Sequence, residues 1–329
     1  GNWEGRTILS RVAADDALGA RFGLSAGAAA DRFAAARTQL LEARDRRPQP
    51  ARDTKVLAAW NGLAIAAFAD AALAFEADRD DLLATASRAA DAVVAGLLGP
   101  DGRLGRSWKD GRASADGVLE DYANLAEGLL SLYEASGDER WFTTARALAD
   151  GMLGRFADPD GGFFDTASDA EALVARPRDP QDNATPSGGS AAALVLVRLA
   201  ALTGERRDRE AAEAAIRGVV PYLDRHPTSF AWWLVAADFA LADVVELAVV
   251  GPPDDPATRR LLAPALAGFR PHRVLALSAD PATSAVPLLA DRVALDDRPT
   301  AYLCRDFACR RPVTEPTDLA ALLEDRASG

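Results

Sequence analysis

The sequence has little histidine and little cysteine, and each shortage excludes a class of site. Among its 329 residues are two histidines, His226 and His272, which are too few for a multi-histidine metal centre. His226 ends a predicted amphipathic helix and His272 precedes a predicted strand, so no histidine-based catalytic pair is visible near the starts of the apolar helices. The two cysteines, Cys304 and Cys309, cannot supply a four-thiolate zinc site and form no CxxC pair. We interpret them as free thiols, with a disulfide or a mixed-ligand metal site as the alternatives.

The sequence also lacks the patterns of membrane proteins and of nucleotide-binding proteins. No apolar run is long enough to span a bilayer, and residues 1–12 lack the apolar core of a signal peptide. The formal net charge of −12 has the wrong sign for a nucleic-acid or anionic-membrane partner. The GxGxxG and GK[ST] motifs are absent as well. We therefore expect a cytoplasmic protein with no nucleic-acid or membrane partner, no cofactor and no metal.

Methionine is scarce too. The chain begins at Gly1, and its only methionine is Met152. A natural translation product begins with methionine or shows a processed end. The sequence therefore predicts a piece of a longer protein.

What the sequence does contain is helical periodicity, in two alternating kinds of segment. Apolar residues make up 49% of the chain and charged residues 26%, as in ordinary globular proteins. Helices that are apolar nearly all round, and so are expected in an interior, are predicted at 61–75, 118–135, 187–202 and 228–242. Amphipathic helices with a charged face are predicted at 24–45, 80–98, 138–156 and 205–223.

The loops between these helices alternate in length. Each connection from an apolar helix to an amphipathic one is short, whereas the long loops 46–60, 99–117 and 157–186 each lead into an apolar helix. The long loops should therefore meet on one face, at the N-termini of the inner helices. This pattern predicts an α/α toroid of helical hairpins that is incomplete in this chain.

The composition changes near residue 243. Strands are predicted at 244–251, 272–279 and 300–307, and helices at 258–269 and 315–325. We therefore divide the chain into toroid hairpins at 1–242 and a small α/β appendage at 243–329.

Two adjacent carboxylates, Glu120 and Asp121, open the second apolar helix. Glu120 heads a polar stripe that continues through Asn124, Glu127, Ser131 and Glu134. Asp121 lies instead above Leu125 and Gly128, where a carboxylate needs a partner or acquires a raised pKa. Two interpretations are open. Both acids stabilise the helix N-terminus, or one of them is a general acid or base at the mouth of the toroid.

The long loops supply the other candidate residues. Asn61 is predicted to cap the first apolar helix, with Trp60 either packing on the turn or forming a sugar platform. Asp165 follows Phe164 in a turn and is a second acid/base candidate. Candidate ligand contacts in these loops are Trp108, Arg176, Asn183 and Ser187, of which Ser187 is also a predicted helix cap.

Six stretches of the chain resemble one known family. They are 1–9, 53–67, 119–138, 161–169, 176–193 and 301–316. In order and content they resemble the C-terminal half of the spermatogenesis-associated protein 20 family, whose bacterial members are the YyaL-type thioredoxin-domain-containing proteins. The resemblance implies a thioredoxin-like domain followed by a toroid similar to six-hairpin glycosidases and N-acylglucosamine 2-epimerases. It also implies that this chain lacks that domain and the first toroid hairpins.

Two functions from different classes follow. The first is a carbohydrate-active toroid with hydrolase-type chemistry, in which Asp121, Glu120 and Asp165 are the acid/base candidates. Its expected substrate contacts are Trp60, Asn61, Tyr122, Trp108, Phe164, Arg176, Asn183 and Ser187. The epimerase relatives use histidines that this chain lacks at the matching helix ends. The second function is a non-catalytic binding or scaffold module, whose partner is a thioredoxin-like domain or the missing half of the toroid.

Overall fold

The computed structural model describes residues 1–171 and 174–325. The chain forms two compact units, Gly1–Thr54 and Lys55–Gly329. This boundary differs from the predicted division at residues 242 and 243, which stays a prediction.

The first unit contains two helices, α1 (Asp15–Phe22) and α2 (Ala26–Asp45). Gly23, at φ 66°, ends α1 in the left-handed region that glycine adopts easily. The Ser25 hydroxyl then accepts the backbone N–H of Ala28 and caps α2. The predicted helix at 24–45 is confirmed, but Ala29 is its single buried residue.

The second unit begins with two layers of helices. The inner layer consists of α3 (Ala58–Ala74), α5 (Leu119–Ser136), α7 (Gly188–Thr203) and α9 (Ala231–Leu241). The outer layer consists of α4 (Arg79–Leu97), α6 (Glu139–Arg155) and α8 (Arg206–Leu223). Each of α3, α5 and α7 packs against the next inner helix and against the outer helix that follows it, and α9 packs against α7 and α8, as in an α/α toroid. The predicted apolar helices, and the predicted amphipathic helices at 80–98, 138–156 and 205–223, are confirmed in these roles.

Two glycines allow α3 and α5 to touch through their backbones. A Cβ at Gly62 would lie 2.3 Å from the carbonyl oxygen of Asn124, and one at Gly128 would lie 2.4 Å from the carbonyl oxygen of Gly62. Only glycine fits at such a distance. The close approach places the N-termini of α3 and α5 side by side.

A small antiparallel sheet, which the sequence analysis does not predict, lies in two of the long loops. Its strands are β1 (Val56–Leu57), β2 (Gly105–Lys109) and β3 (Arg112–Asp116). Asp110 and Gly111, at φ 51° and 80°, form a two-residue turn that joins Lys109 to Arg112. The sheet carries Arg106 to the start of α5.

The C-terminal part of the second unit is the predicted α/β appendage. Its elements are β4 (Val245–Val250), α10 (Pro256–Leu266), β5 (Arg273–Ser278), β6 (Thr300–Arg305), β7 (Ala308–Cys309) and α11 (Pro316–Glu324). The strand order is β5-β4-β6-β7, with β4 and β5 parallel and the other pairs antiparallel. The sheet contacts α5, where the Leu277 N–H donates to the Tyr133 hydroxyl at 3.2 Å.

The interpretation of the cysteines as free thiols is wrong for this structure. Cys304 and Cys309 are directly paired across β6 and β7, and their sulfurs are bonded as a disulfide. The hairpin brings the two side chains together, which a separation of five residues in the sequence does not reveal. The Arg292 guanidinium donates to Cys309 Sγ at 2.9 Å.

No single helix in residues 1–171 and 174–325 is both long and apolar enough to cross a membrane. One bent pair, Ala58–Ala74 with Glu76–Leu97, meets the criteria of length and composition when taken together.

Candidate functional site: the N-terminal ends of the inner helices

The long loops converge at the N-termini of the inner helices, as the loop pattern predicts. The Leu119 N–H, at the start of α5, donates to the Asp165 carbonyl at 2.9 Å. A Cβ at Gly188, at the start of α7, would lie 2.9 Å from the backbone nitrogen of Glu120. The three acid/base candidates therefore occupy neighbouring positions on one face.

Asp121 is buried there and fully committed to backbone and ionic partners. Its Oδ2 accepts the Val118 N–H at 3.0 Å and the Arg106 Nη1–H at 2.9 Å. Its Oδ1 accepts the Ala59 N–H at 3.3 Å, in the first turn of α3. One carboxylate thus caps its own helix and the neighbouring inner helix.

The electrostatics of Asp121 also suit a structural role. Burial raises the pKa of Asp121, and the hydrogen bond from Val118 and the charge of Arg106 oppose that rise. The side chain is 1% exposed, so a substrate has no route to its oxygens in this conformation.

Glu120 is the more accessible of the two adjacent acids. Its side chain is 31% exposed, and Oε1 accepts the Arg106 Nη2–H at 2.8 Å. Arg106 therefore bridges Glu120 and Asp121 with its two terminal nitrogens.

Asp165 is half-buried beside the start of α5. Its Oδ2 accepts the Asp179 N–H at 2.9 Å, and no described residue donates to its Oδ1. Burial raises the pKa of Asp165; the Asp179 hydrogen bond opposes this, and the charges of Asp179 and Glu120 add to it. The charge of Glu120 therefore acts on Asp165.

Asp182, which is not among the predicted site residues, repeats the role of Asp121 at the other inner helices. Its Oδ1 accepts the Ser187 N–H at 2.9 Å and the Ser190 hydroxyl, at the start of α7. Its Oδ2 accepts the Trp232 N–H at 2.8 Å, at the start of α9. One carboxylate therefore joins two inner-helix N-termini here too.

Arg198, also absent from the predicted site residues, binds the polar stripe of α5. Its guanidinium donates to Glu127, to Ser131 Oγ at 3.3 Å and to Glu134 Oε1 at 2.9 Å. All three partners are buried. The stripe is visible in the sequence, but its partner lies on another helix, 71 residues from Glu127.

The charges of this buried cluster depend on one another. Burial raises the pKa of Glu127, and the charge of Arg198 opposes that rise. Burial lowers the pKa of Arg198, but Glu127 and Glu134 outweigh this and raise it above its ordinary value. Asn124, higher in the stripe, has neither side-chain nitrogen nor oxygen bonded within the described part of the chain.

Asn61 does not cap α3, so that prediction is wrong. The helix begins three residues earlier, at Ala58, and Asn61 Nδ2 donates back to the Leu57 carbonyl at 2.8 Å. Trp60 is 64% exposed on the first turn of α3. It remains open to a ligand or partner.

Most of the other candidate contacts already have partners. The Ser187 hydroxyl caps α7 by accepting the Ser190 N–H, as predicted. The Tyr122 hydroxyl is buried and accepts the Leu104 N–H at 2.8 Å. The Arg176 guanidinium stacks on Phe164, 4.1 Å from the ring centre, and donates to the Thr166 carbonyl.

The two remaining candidates lie nearer the surface. Trp108 is 36% exposed and packs over Gly96 of the outer helix α4. Asn183 is exposed in the loop before α7. The described residues contain no group of three or more His, Cys, Asp or Glu side chains arranged to hold a metal ion.

Comparison with known proteins decides the relationship suggested by the sequence motifs. Human spermatogenesis-associated protein 20 is 30% identical to the chain over 98% of its length. The chain is a homologue of spermatogenesis-associated protein 20. The rat protein matches equally well, at 30% identity over 98% of the chain. The chain spans 43% of each of these two relatives, so it corresponds to less than half of their length.

The structure is similar to part of a solved sugar epimerase. Cellobiose 2-epimerase from Spirochaeta thermophila DSM 6192 matches with a TM-score of 0.42 and 20% identity. The match covers 50% of this chain and 43% of the epimerase chain. No protein-family model matches the sequence.

Proposed function

We propose that this homologue of spermatogenesis-associated protein 20 is carbohydrate-active, and that Glu120 and Asp165, not Asp121, act on the sugar. One observation carries the proposal. Glu120 and Asp165 are partly accessible carboxylates at the inner-helix N-termini, close enough for the charge of Glu120 to act on Asp165, whereas Asp121 is buried and capped. Two carboxylates are the minimum for hydrolase-type acid/base chemistry on a glycoside.

Their surroundings suggest different roles for the two acids. Burial raises the pKa of Asp165, which favours a protonated carboxyl that can donate to a leaving oxygen. Glu120, paired with Arg106, is the acceptor that takes a proton from water or from the sugar. Asp121 holds Arg106 and the two helix ends in place.

The experiment is turnover of a panel of uronides and neutral disaccharides by the full chain. We expect Glu120→Gln and Asp165→Asn each to lower kcat at least about 100-fold, with little change in melting temperature. Asp116→Asn is the control, since this carboxylate is exposed on β3. The wild-type rate should fall as pH rises through the raised pKa of Asp165. Unchanged turnover in either site variant contradicts the assignment of that residue.

A non-catalytic scaffold is the second candidate, and a specific observation favours it. Trp60, Phe68 and Phe75 are 64%, 39% and 61% exposed and recur at helical spacing along one side of α3. Ala64 and Ala67 are exposed beside them. A continuous apolar stripe of this kind is normally covered by a partner. Its proposed occupant is a further helical hairpin of the toroid, in a chain that also carries a thioredoxin-like domain.

Self-association of the chain tests the scaffold function. We expect concentration-dependent association in light scattering, and its loss in the Trp60→Glu/Phe68→Glu double variant. Val220→Glu is the matched control, because Val220 is a 53% exposed apolar residue on α8. A chain that stays monomeric at high concentration contradicts a docking role for the stripe. Absence of turnover together with stripe-dependent association would favour the scaffold over the enzyme.

A further inference from the structure

A cleft of about 500 Å³ opens at the opposite end of the inner helices. Its walls are the last turn of α3, the helix α10 and the strand β5. The apolar lining includes Leu73, Leu262, Leu266, Leu275 and Leu277. This volume lies within the range of small-molecule sites, and such sites pair apolar walls with a few placed polar groups.

Arg79 is the main polar group of this cleft. Its side chain is only 9% exposed, although it carries a permanent charge and five N–H donors. Its contacts are the Asp80 carboxylate at 3.1 Å, the Asp254 carboxylate at 3.8 Å and the Ala135 carbonyl at 3.5 Å. Asp80 and Asp254 are 87% and 94% exposed, so solvent screens both. A buried guanidinium held this loosely retains donors for a further anion.

Two more arginines line the same cleft. Arg259 reaches Glu76 only at 4.0 Å, and Glu76 is 77% exposed. Arg260 is exposed and has no ion-pair partner in residues 1–171 and 174–325. The other acid of the lining, Glu134, already accepts from Arg198 at 2.9 Å. The arginines of the cleft are therefore available to an anion, since Glu76 is screened by solvent and Glu134 is already paired with Arg198.

We propose that this cleft binds a small amphiphilic anion, with a carboxylate or phosphate head on Arg79 and Arg259 and an apolar body against Leu262, Leu266 and Leu275. Charge-assisted hydrogen bonds from arginine suit both head groups. The leucine wall distinguishes such a ligand from a bare ion. This site is separate from Glu120 and Asp165 and does not depend on the function proposed for them.

Calorimetric titration of the full chain tests the proposal with sodium octanoate, octyl phosphate and inorganic phosphate. We expect one or both octyl probes to bind, and Arg79→Gln and Arg259→Gln each to weaken that binding about tenfold or more. Arg88→Gln is the matched control: Arg88 is exposed on α4, the same helix as Arg79, outside the cleft. Binding of only octanoate or only octyl phosphate supports the site and identifies its head group.

Three results would overturn the proposal. They are no binding of either octyl probe, equal binding by all variants, and inorganic phosphate binding as tightly as octyl phosphate. The last would mean that the leucines take no part. Circular dichroism checks that each variant is folded, and if Arg79→Gln does not fold, Arg259→Gln decides, because its side chain is 32% exposed at the rim.

Discussion

The two ends of the inner helices carry opposite charges that are used in opposite ways. At the N-terminal ends, Asp121 and Asp182 each accept backbone N–H groups from two helices. At the C-terminal ends, Arg79 approaches the Ala135 carbonyl of α5 at the limit of a hydrogen bond. Both arrangements match the helix macrodipole, which favours anions at N-termini and cations at C-termini.

The difference lies in how completely each charge is satisfied. Asp121 has three donors around two oxygens, so it is a structural element despite its position at the mouth. Arg79 is nearly as buried but has long or solvent-screened contacts. The location of a charged residue at a helix end therefore does not by itself make it functional; unsatisfied hydrogen-bonding capacity is the better indicator.

The largest loss of stability is expected at Arg198, which lies between the two ends of the inner helices. Arg198→Met keeps the volume but leaves Glu127 and Glu134 buried without their cation. We expect the free energy of unfolding at neutral pH to fall by about 3–5 kcal/mol. Chemical denaturation measures it, with Arg206→Met as control, whose exposed pair with Glu210 contributes less than about 0.5 kcal/mol. Equal losses in the two variants would show that the buried cluster has no special role.

The N-terminal end is tested by comparing its adjacent acids. Asp121→Asn turns one acceptor oxygen into a donor that faces the Ala59 N–H, or the Val118 N–H and Arg106. We expect a loss of about 2 kcal/mol in the free energy of unfolding. Glu120→Gln should change it by less than about 1 kcal/mol, since that side chain is partly exposed. A larger loss of unfolding free energy in Glu120→Gln than in Asp121→Asn would contradict the assignment of Asp121 as the structural cap.

The smallest expected effect is the contribution of Glu127 to the pH dependence of the unfolding free energy. Its folded-state pKa is raised by burial above the ordinary value of 4.5, so folding favours its protonated form. The stability that this provides is complete below the unfolded pKa and is lost as pH rises through the folded one. The difference in unfolding free energy, wild type minus Glu127→Gln, should therefore decrease from pH 4.5 upward, by at most about 1.4 kcal/mol per pH unit. A flat or rising difference would contradict the raised pKa.

The helices were predictable because their cause is local. Apolar and amphipathic periodicity placed every helix from α3 to α8 within a few residues of its observed bounds. The N-terminus of α3 was placed less well, because the helix begins at Ala58, three residues before the predicted start. Asn61 is a good cap by residue type, but the N-terminus of α3 is capped across the fold by Asp121, 62 residues from Ala59. A cap supplied by another helix leaves no local signal.

The location of the candidate site was predictable from the sequence, but the roles of its side chains were not. The loop pattern located Glu120, Asp121 and Asp165 on one face, and the polar stripe of α5 was visible in its spacing. Asp182 and Arg198 were missed because their partners lie on other helices. The Cys304–Cys309 disulfide was an alternative to free thiols in the sequence, and the β6–β7 hairpin decides for it by placing the two residues opposite each other.

The sequence by itself determined the kind of architecture: two alternating classes of helix, long loops on one face and an α/β segment at the C-terminus. Periodicity and loop length are properties of short segments, so they can be read from the sequence without knowledge of the fold. Only the tertiary structure decided which charges are engaged. Whether a carboxylate is a cap or a candidate acid depends on donors brought from distant segments, and whether an arginine is free depends on how deeply packing has buried it.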